Sequence, residues 1–383
     1  MKQRIEKGRV TAFFALAVPI LIIVMTTVFV SPNNAIKKLA LVSCAIAMPE
    51  SSLREVSEWL TQGDASPSVF YGANLKGAAS PINQSENAMK AEKPVDLKKV
   101  PDDIAALMAK HANDSKNDVK NGSINEYTYG KSSATSIYKN ILVKNTTATK
   151  SINIEKVLKS DINLQISDKS KPAVLIFHTH TTEGFEILDR GWYAQNYNGR
   201  TQDETKNVVR VGEEIAQQLI KAGYVVIHDK TIHDLKYSGA YARSRETVQK
   251  YLDKYPNLQV VLDVHRDAIH QGNGVKVKPV TVINEKKAAQ VMIISGAQER
   301  SIKNFPNWEE NLSFAVKLQK TAEDMYSGLM RPLLFCTRRY NMDMTNCSLL
   351  LEMGSDVNTL DEAAYSGRLI GNVLVKVLES YSK

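Results

Sequence analysis

The sequence predicts an α/β domain over residues 161–383, with a mostly parallel or mixed sheet and helices on both faces. After residue 160, short apolar runs alternate with segments whose apolar residues recur every three to four positions, which is typical of alternating strands and helices. Polar residues suited to chemistry stand at the ends of several runs, where open α/β sheets bind ligands. An apolar segment and a polar stretch precede this domain.

The individual elements follow from periodicity and from turn and capping signals. Strands are predicted at residues 173–177, 224–228, 259–264, 333–337 and 348–352. Helices are predicted at residues 207–222, 241–254 and 308–325, and Thr359-Leu360-Asp361-Glu362 is a capping box that opens a last helix. Residues 275–283 and 289–295 flank a polar tetrapeptide, which predicts a hairpin.

The N-terminus predicts a transmembrane anchor at residues 11–30, TAFFALAVPILIIVMTTVFV, because about 20 apolar residues span a bilayer as a helix. Four basic residues precede it, Lys2, Arg4, Lys7 and Arg9. The positive-inside rule therefore keeps residues 1–10 cytoplasmic and places the rest of the chain outside. A cleaved signal peptide is the alternative, but the apolar stretch is longer than such peptides use and no small-x-small cleavage site follows.

Residues 31–160 are expected to form an extracytoplasmic juxtamembrane segment and a mostly flexible stalk, since polar and small residues dominate from residue 61 to about 150. The net charge of +8 suits nucleic acid, an anionic membrane or an anionic wall polymer. Common nucleic-acid modules are excluded, because the chain has no zinc-finger spacing and no concentrated basic block. The three cysteines, Cys44, Cys336 and Cys347, cannot form a complete disulfide framework, and the last two are predicted to be buried.

Two motifs indicate a zinc site. His180 and Glu183 have the spacing His-x-x-Glu just after a strand, and His265 stands at the end of another strand. Two histidines and one glutamate form a known catalytic zinc set with one coordination position left open. The alternative is that both histidines are ordinary strand-end residues bonded to nearby backbone.

Glu352 closes the strongly apolar strand Leu349-Leu350-Leu351, where a charge is costly unless it is paired or used. It is a candidate general base that activates a water and later protonates the leaving nitrogen. The alternative is a salt bridge to Arg331, Arg338 or Arg339. Arg266 and Asn341 are candidates for substrate binding, Arg266 through a substrate carboxylate.

Seven stretches resemble the stage II sporulation protein P family of spore-forming bacteria. They are VLIFHTHTTEGF (174–185), KNVVRVGEEIAQQL (206–219), HDKTIHD (228–234), YARSRETV (241–248), LDVHRDA (262–268), FPNWEENLSFAVKL (305–318) and RYNMDMTNCSLLLEMGSDVNTLDEA (339–363). The family is similar to zinc-dependent N-acetylmuramoyl-L-alanine amidases. The resemblance implies hydrolysis of peptidoglycan between the glycan and the stem peptide, a second endopeptidase activity, and a role in forespore engulfment from the mother-cell membrane. It also implies stage II sporulation proteins D and M as partners.

Matched to the amidase pattern, His180 and His265 are the metal-binding histidines and Glu352 is the catalytic glutamate. The resemblance leaves the carboxylate ligand open: Asp203 or Glu204 stands where the broader amidases place it, whereas the His-x-x-Glu spacing favours Glu183. Two other functions remain open, a metallo-carboxypeptidase or endopeptidase on stem peptides, and a wall-binding scaffold without catalysis.

Overall fold

The computed structural model describes residues 96–382. Its helices are α1 (Asp102–Asp114), α2 (Ile154–Lys159), α3 (Val208–Lys221), α4 (Ala240–Lys254), α5 (Trp308–Met325) and α6 (Leu360–Glu379). Its strands are β1 (Lys120–Tyr127), β2 (Ser136–Tyr138), β3 (Ile141–Asn145), β4 (Pro172–Phe177), β5 (Trp192–Ala194), β6 (Val225–His228), β7 (Val260–Asp267), β8 (His270–Gly272), β9 (Val275–Ile283), β10 (Lys286–Ala289), β11 (Val291–Gly296), β12 (Leu333–Cys336) and β13 (Cys347–Ser355).

The main sheet has eight strands in the order β2-β3-β12-β11-β13-β7-β4-β6. The pairs β3–β12, β12–β11, β13–β7, β7–β4 and β4–β6 are parallel, whereas β2–β3 and β11–β13 are antiparallel. The sheet is therefore mixed and mostly parallel, as predicted. Its centre consists of β13, β7 and β4, three neighbouring parallel strands whose carboxyl ends meet at one edge.

Helices cover both faces of this sheet, which also agrees with the prediction. On one face, α3, α5 and α6 pack on the sheet in a large apolar cluster that includes Ile176, Leu262, Ile215 and Leu369. On the other face, Val248 and Tyr251 of α4 pack on residues such as Phe177. Alternate side chains of β4 thus point into two apolar layers, one on each face of the sheet. Because both faces are buried, the sequence of the strand is continuously apolar.

The capping box predicted for the last helix is confirmed. The hydroxyl of Thr359 accepts a hydrogen bond from the Glu362 amide, and the Glu362 carboxylate accepts one from the Thr359 amide. These two bonds satisfy amide groups that have no partner within the helix. They fix the start of α6 just after β13, on which the candidate base Glu352 lies.

The stalk predicted to reach residue 160 is corrected for its described part, because this part is folded into the domain. Strand β1 lies between β5 and β9 in a second sheet with the order β10-β9-β1-β5, and β3 pairs with β12 in the main sheet. The polar composition misled the prediction because β1 buries little side-chain surface and is held mainly by backbone hydrogen bonds.

The predicted hairpin is correct for its first strand and wrong for its second. After β9, the chain turns at Asn284 and Glu285, which both have positive φ. It then continues as β10 (residues 286–289), which pairs with β9. The predicted return strand, residues 289–295, lies mostly in β11 (Val291–Gly296), which belongs to the other sheet. Asn tolerates the left-handed conformation that such two-residue turns require.

Several predictions fall outside the described residues, namely the cytoplasmic tail, the anchor at residues 11–30, the segment up to residue 95 and Cys44. Within residues 96–382, no helix combines the length and the apolar character needed to cross a membrane. Cys336 and Cys347 are free and buried, as expected, and burial raises the pKa of the Cys336 thiol to about 12.

Glu299 holds the former stalk segment on the domain. Its carboxylate accepts hydrogen bonds from the amides of Ala148 (3.0 Å) and Thr149, and from the hydroxyls of Thr149 (2.5 Å) and Thr337 (2.7 Å). The hydrogen bonds, led by the Thr149 hydroxyl, lower the pKa of Glu299 to about 2. Its stabilising contribution is therefore complete above the ordinary carboxyl pKa of 4.5 and is lost as the pH falls through about 2.

We expect Glu299→Gln to lower Tm at pH 7 by roughly 3–6 °C, because an amide has one acceptor atom where the carboxylate has two. The difference from the wild type should shrink as the pH approaches 2, measured by circular dichroism melts. Glu309→Gln, at an exposed position in α5, is the matched control and should change little. Equal Tm values for Glu299→Gln and the wild type at pH 7 would contradict the role of this carboxylate.

Candidate metal and catalytic site

The residues predicted to carry chemistry meet at the carboxyl ends of the three central strands. His180 lies just after β4, His265 lies in β7 and Glu352 lies in β13. Glu352 is the direct register partner of His265 on the neighbouring strand, which places the two residues side by side. The parallel alignment of these strands therefore assembles the site from segments that are far apart in sequence.

Three buried groups face one another at this edge. Nδ1 of His180 lies 3.4 Å from Oε1 of Glu183, and Nδ1 of His265 lies 3.4 Å from Oε2 of the same carboxylate. One candidate ligand atom from each residue lies within 4.8 Å of those of the other two. The exposed fractions are 5% for His180, 2% for Glu183 and 3% for His265, so a cation held here would be surrounded by protein.

The turn that carries His180 and Glu183 is fixed by its own polar residues. The Glu183 amide donates to the His180 carbonyl (3.0 Å), and the Glu183 carbonyl accepts from the Val208 amide at the start of α3 (2.9 Å). Between them, the Thr182 amide (3.1 Å) and hydroxyl (2.7 Å) donate to the buried carboxylate of Asp234. The His-x-x-Glu spacing thus lies on a tight turn whose shape is set before any ligand binds.

The charges of the site are set by mutual contact. Burial opposes ionisation of Glu183, but contacts with His180 and His265 and the charge of Arg266 hold its pKa well below the ordinary value. Burial also opposes protonation of His265, yet Asp263 and Glu183 hold its pKa well above the ordinary value. The buried carboxylate of Glu183 is therefore kept ionised by the groups around it. A bound divalent cation would take over this role.

Glu352 lies beside this cluster without a charged partner. Burial, followed by the charge of Asp267, raises its pKa to about 8, and the charge of His265 acts in the opposite direction. The predicted alternative was a salt bridge, but Arg331 pairs with Asp267 (3.0 Å) and Arg339 with Asp343 (3.9 Å). Within residues 96–382, Glu352 forms no ion pair, and its Oε2 is buried without a hydrogen-bond partner.

The two residues predicted to bind substrate, Arg266 and Asn341, both form hydrogen bonds within the protein. Arg266 is buried and donates to the carbonyl oxygens of Gly184 (3.1 Å) and Gly199 (2.6 Å). The amide of Asn341 donates to the Tyr241 carbonyl (2.9 Å) and to the Ser244 hydroxyl (3.1 Å). These hydrogen bonds hold loops around the site.

A model of the family described as stage II sporulation protein P matches residues 66–375. The chain belongs to this family. Stage II sporulation protein P of Bacillus subtilis (strain 168) is 30% identical over 204 residues, which are 50% of this chain and 47% of that protein. This match spans about half the length of that relative.

Solved structures similar in part to this family member are N-acetylmuramoyl-L-alanine amidases. AmiC2 of Nostoc punctiforme has a TM-score of 0.34 at 11% identity and covers 56% of this chain and 99% of its own. Apo Ami1 of Mycobacterium abscessus has a TM-score of 0.32 at 13% identity, covering 55% and 99%. The amidase of Clostridium difficile 630 has a TM-score of 0.33 at 14% identity, covering 55% and 98%. Because these identities and TM-scores are low, the chemistry of this family member is inferred from its own side chains.

The two other candidates for the carboxylate ligand lie away from this cluster. Asp203 pairs with Lys206 (2.6 Å) and accepts a hydrogen bond from Thr205, and Glu204 is an exposed residue 3.9 Å from Lys230.

A second group of carboxylates, Glu126, Asp189 and Glu362, is already paired with a cation. The ammonium group of the buried Lys278 lies 2.8, 2.8 and 3.1 Å from these three residues, respectively.

Sequence reasoning missed Arg200, which lies beside the candidate metal ligands. One of its amino groups donates to Asp234 (2.6 Å), and the other lies 3.8 Å from Oε1 of Glu183. Its guanidinium lies 5.0 Å from the ring centre of Tyr237, whose ring is 4.6 Å from that of His180. The Arg200 side chain is 33% exposed, whereas Arg266 is buried. No motif marks Arg200, because its position depends on the loop that follows β5.

The raised pKa of Glu352 predicts a pH dependence of the metal-free protein. Because the pKa of about 8 lies above the ordinary 4.5, the protonated carboxyl favours the folded state. This contribution is complete below about pH 4.5 and is lost as the pH rises through about 8. With chelator present, we expect the wild type to lose up to about 4 kcal/mol of stability between pH 5 and 9 relative to Glu352→Gln. Parallel stability curves in urea titrations would show that Glu352 does not titrate in this range.

Proposed function

We propose that the protein is a membrane-anchored, zinc-dependent N-acetylmuramoyl-L-alanine amidase that hydrolyses peptidoglycan and also has endopeptidase activity. The observation that carries the proposal is the group of His180, Glu183 and His265 with an unpaired Glu352 next to it. Membership of the stage II sporulation protein P family supports a role in sporulation. Binding of zinc, the bond that is cut and attachment to the membrane are parts of this proposal.

The donor set fits zinc in kind and in charge. Two imidazoles and one carboxylate are a known catalytic combination, and zinc sites of this type keep one position open for water or substrate. Glu183 offers an ionised carboxylate, and Nδ1 of both histidines faces it at 3.4 Å. Among residues 96–382, Nε2 of His180 has no hydrogen-bond partner, so a ring nitrogen of this residue is available to an ion. When bound, zinc supplies Lewis acidity toward water and toward the substrate carbonyl.

Glu352 would carry the protons of the reaction. In the proposed mechanism, its carboxylate accepts a proton from the attacking water as the oxygen adds to the amide carbon. The same carboxyl group then donates this proton to the nitrogen of the stem peptide as the C–N bond breaks.

Arg200 and nearby tyrosines offer a surface for the substrate. Arg200 is a partly exposed cation beside the site, and we propose that it binds a carboxylate of the stem peptide in place of the buried Arg266. The rings of Tyr241 and Tyr340 stack at 5.0 Å, and Tyr241 lies parallel to His265. Aromatic faces of this kind suit the apolar faces of sugar rings and of peptide side chains.

The cellular setting follows from the anchor and the family. We propose that residues 11–30 cross the mother-cell membrane and that the domain works outside it, on the wall at the septum. The positive net charge of +8 favours contact with anionic wall polymers. Stage II sporulation proteins D and M are the partners that the family resemblance suggests.

The decisive measurement is digestion of purified peptidoglycan by the full chain in mild detergent, with and without chelator, followed by mass spectrometry. We expect release of intact stem peptides that stops with chelator and returns with zinc. Shortened stems without intact ones would identify a peptidase instead. Bound zinc without any released fragment would favour a wall-binding scaffold, and absence of zinc would exclude the mechanism.

Glu352→Gln should retain one zinc per chain but lose at least about 100-fold in the rate of stem release, since an amide cannot accept the proton of water. Metal content by mass spectrometry and rate by labelled-wall release are measured on the same sample. Glu309→Gln in α5 is the control and should keep the wild-type rate. Wild-type turnover by Glu352→Gln would exclude Glu352 as the base.

Glu183→Gln should weaken zinc binding by more than about 100-fold, because it removes the anionic ligand of the buried site. Asp203→Asn is the matched variant, and we expect it to bind zinc as the wild type does, since Asp203 pairs with Lys206 instead. Competition with a chromophoric chelator gives both affinities. The opposite pattern would assign the carboxylate ligand to Asp203.

A further inference from the structure

Asp263 is a buried carboxylate that contacts both chain segments bearing the candidate histidine ligands. It lies in the middle of β7 with an exposed fraction of 2%. Its Oδ1 lies 2.8 Å from Nε2 of His265 and accepts a hydrogen bond from the Thr179 amide, also at 2.8 Å. Its Oδ2 accepts a hydrogen bond from the Thr179 hydroxyl at 2.6 Å.

The position of Asp263 follows from strand geometry. Asp263 and His265 are two residues apart in one strand, so their side chains share a face of the sheet. On the neighbouring strand, Phe177 is the register partner of Asp263, and the chain then turns through Thr179 into His180. The carboxylate is thereby held between the His265 ring and the turn that begins with Thr179.

We propose that Asp263 is the positioning residue of the metal site, fixing the ring of His265 and the turn that carries His180. The inference rests on the proposed function, because it assigns Asp263 a role toward the zinc ligands. Nδ1 of His265 lies 3.4 Å from Glu183, and Nε2 lies 2.8 Å from Asp263 as an ion-pair contact without hydrogen-bond alignment, so the ring has one nitrogen for the ion and one for the carboxylate. Metal-binding histidines commonly have such an outer carboxylate, which fixes the tautomer and makes the ligand nitrogen more basic.

A buried polar network holds the carboxylate in turn. The Thr179 hydroxyl, which contacts Asp263, also contacts the Ser244 hydroxyl at 2.8 Å. The Ser244 hydroxyl accepts from the amide of Asn341 at 3.1 Å. Ser244 belongs to α4, and Asn341 lies in the loop before β13, so two more segments are tied to the same carboxylate. This explains why Asn341 is occupied inside the protein.

Asp229 provides a matched control for a purely structural role. It is equally buried, at 2% exposure, and lies directly after β6, the strand next to β4. Its carboxylate accepts from the Thr231 amide (3.0 Å) and from the Tyr251 hydroxyl (3.0 Å). Asp229 has a comparable number of hydrogen bonds, yet none of these bonds involves His180, Glu183 or His265.

The test compares zinc affinities of the full chain and its variants in detergent, by competition with a chromophoric chelator. We expect Asp263→Asn to weaken zinc binding about 10- to 100-fold. Asp229→Asn should bind zinc within about twofold of the wild type, even if both variants lower Tm. In the His265→Gln background, the effect of Asp263→Asn should become much smaller, since only the contacts of Asp263 with Thr179 and the turn that carries His180 remain to be lost.

The outcomes separate this inference from the proposed function. If the wild type binds no zinc, the proposed function fails, and the role of Asp263 fails with it. If the wild type binds zinc and Asp263→Asn binds it equally tightly, only the inference on Asp263 is wrong. Equal losses of zinc affinity in Asp263→Asn and Asp229→Asn, or an undiminished loss for Asp263→Asn in the His265→Gln background, would reduce Asp263 to a general structural role.

A measurement on the wild type decides the question if Asp263→Asn does not fold. In zinc-loaded, ¹⁵N-histidine-labelled protein, nuclear magnetic resonance should show His265 bound through Nδ1, with a proton on Nε2. The His265→Gln spectrum assigns the signal. Coordination of zinc through Nε2 would overturn the inference, because the same nitrogen cannot serve the ion and donate to Asp263.

Discussion

The arrangement of this domain depends on one buried charge, the carboxylate of Glu183. A charge in the protein interior is costly unless positive or hydrogen-bonding groups surround it. Here the two imidazoles face its two oxygens, and the amide of Arg266 donates to Oε2 at 3.1 Å. The tight turn after β4, the end of β7 and the loop that holds Arg200 all converge on this group. The site is therefore a consequence of neutralising one carboxylate, and the same groups that neutralise it are the ones able to hold a cation.

Much of the fold and of the candidate site could be predicted from local sequence. The apolar runs of the central strands, the helical periodicity of α3 and the capping box of α6 depend on neighbouring residues, and the structure has them where the sequence predicts them. The convergence of His180, His265 and Glu352 also followed, because carboxyl ends of parallel strands meet at one edge. In the structure, these residues lie at the ends of neighbouring strands. They are therefore close together in space although they are far apart in the sequence.

The features that the sequence did not predict depend on contacts between residues far apart in the chain, which no local pattern indicates. Arg266 reads as a free cation, but the carbonyl groups of Gly184 and Gly199 that occupy it come from distant loops. The return strand of the hairpin was misplaced because β10 and β11 are separated only by Gln290, where the chain changes sheets. Likewise, β1 has few buried side chains, so only its partners β5 and β9 reveal it as part of the fold.

The inclusion of β1 and β3 in the two sheets changes what counts as the minimal unit of this protein. A chain cut at residue 160 would lose both strands and leave the backbone of β9 and β12 without partners along one side. Open strand edges bind other chains, so such a fragment would be prone to self-association even with every proposed site residue intact. Polar, low-complexity composition is thus a poor guide to where a folded unit begins, and fragment design for this family should start from strand pairing.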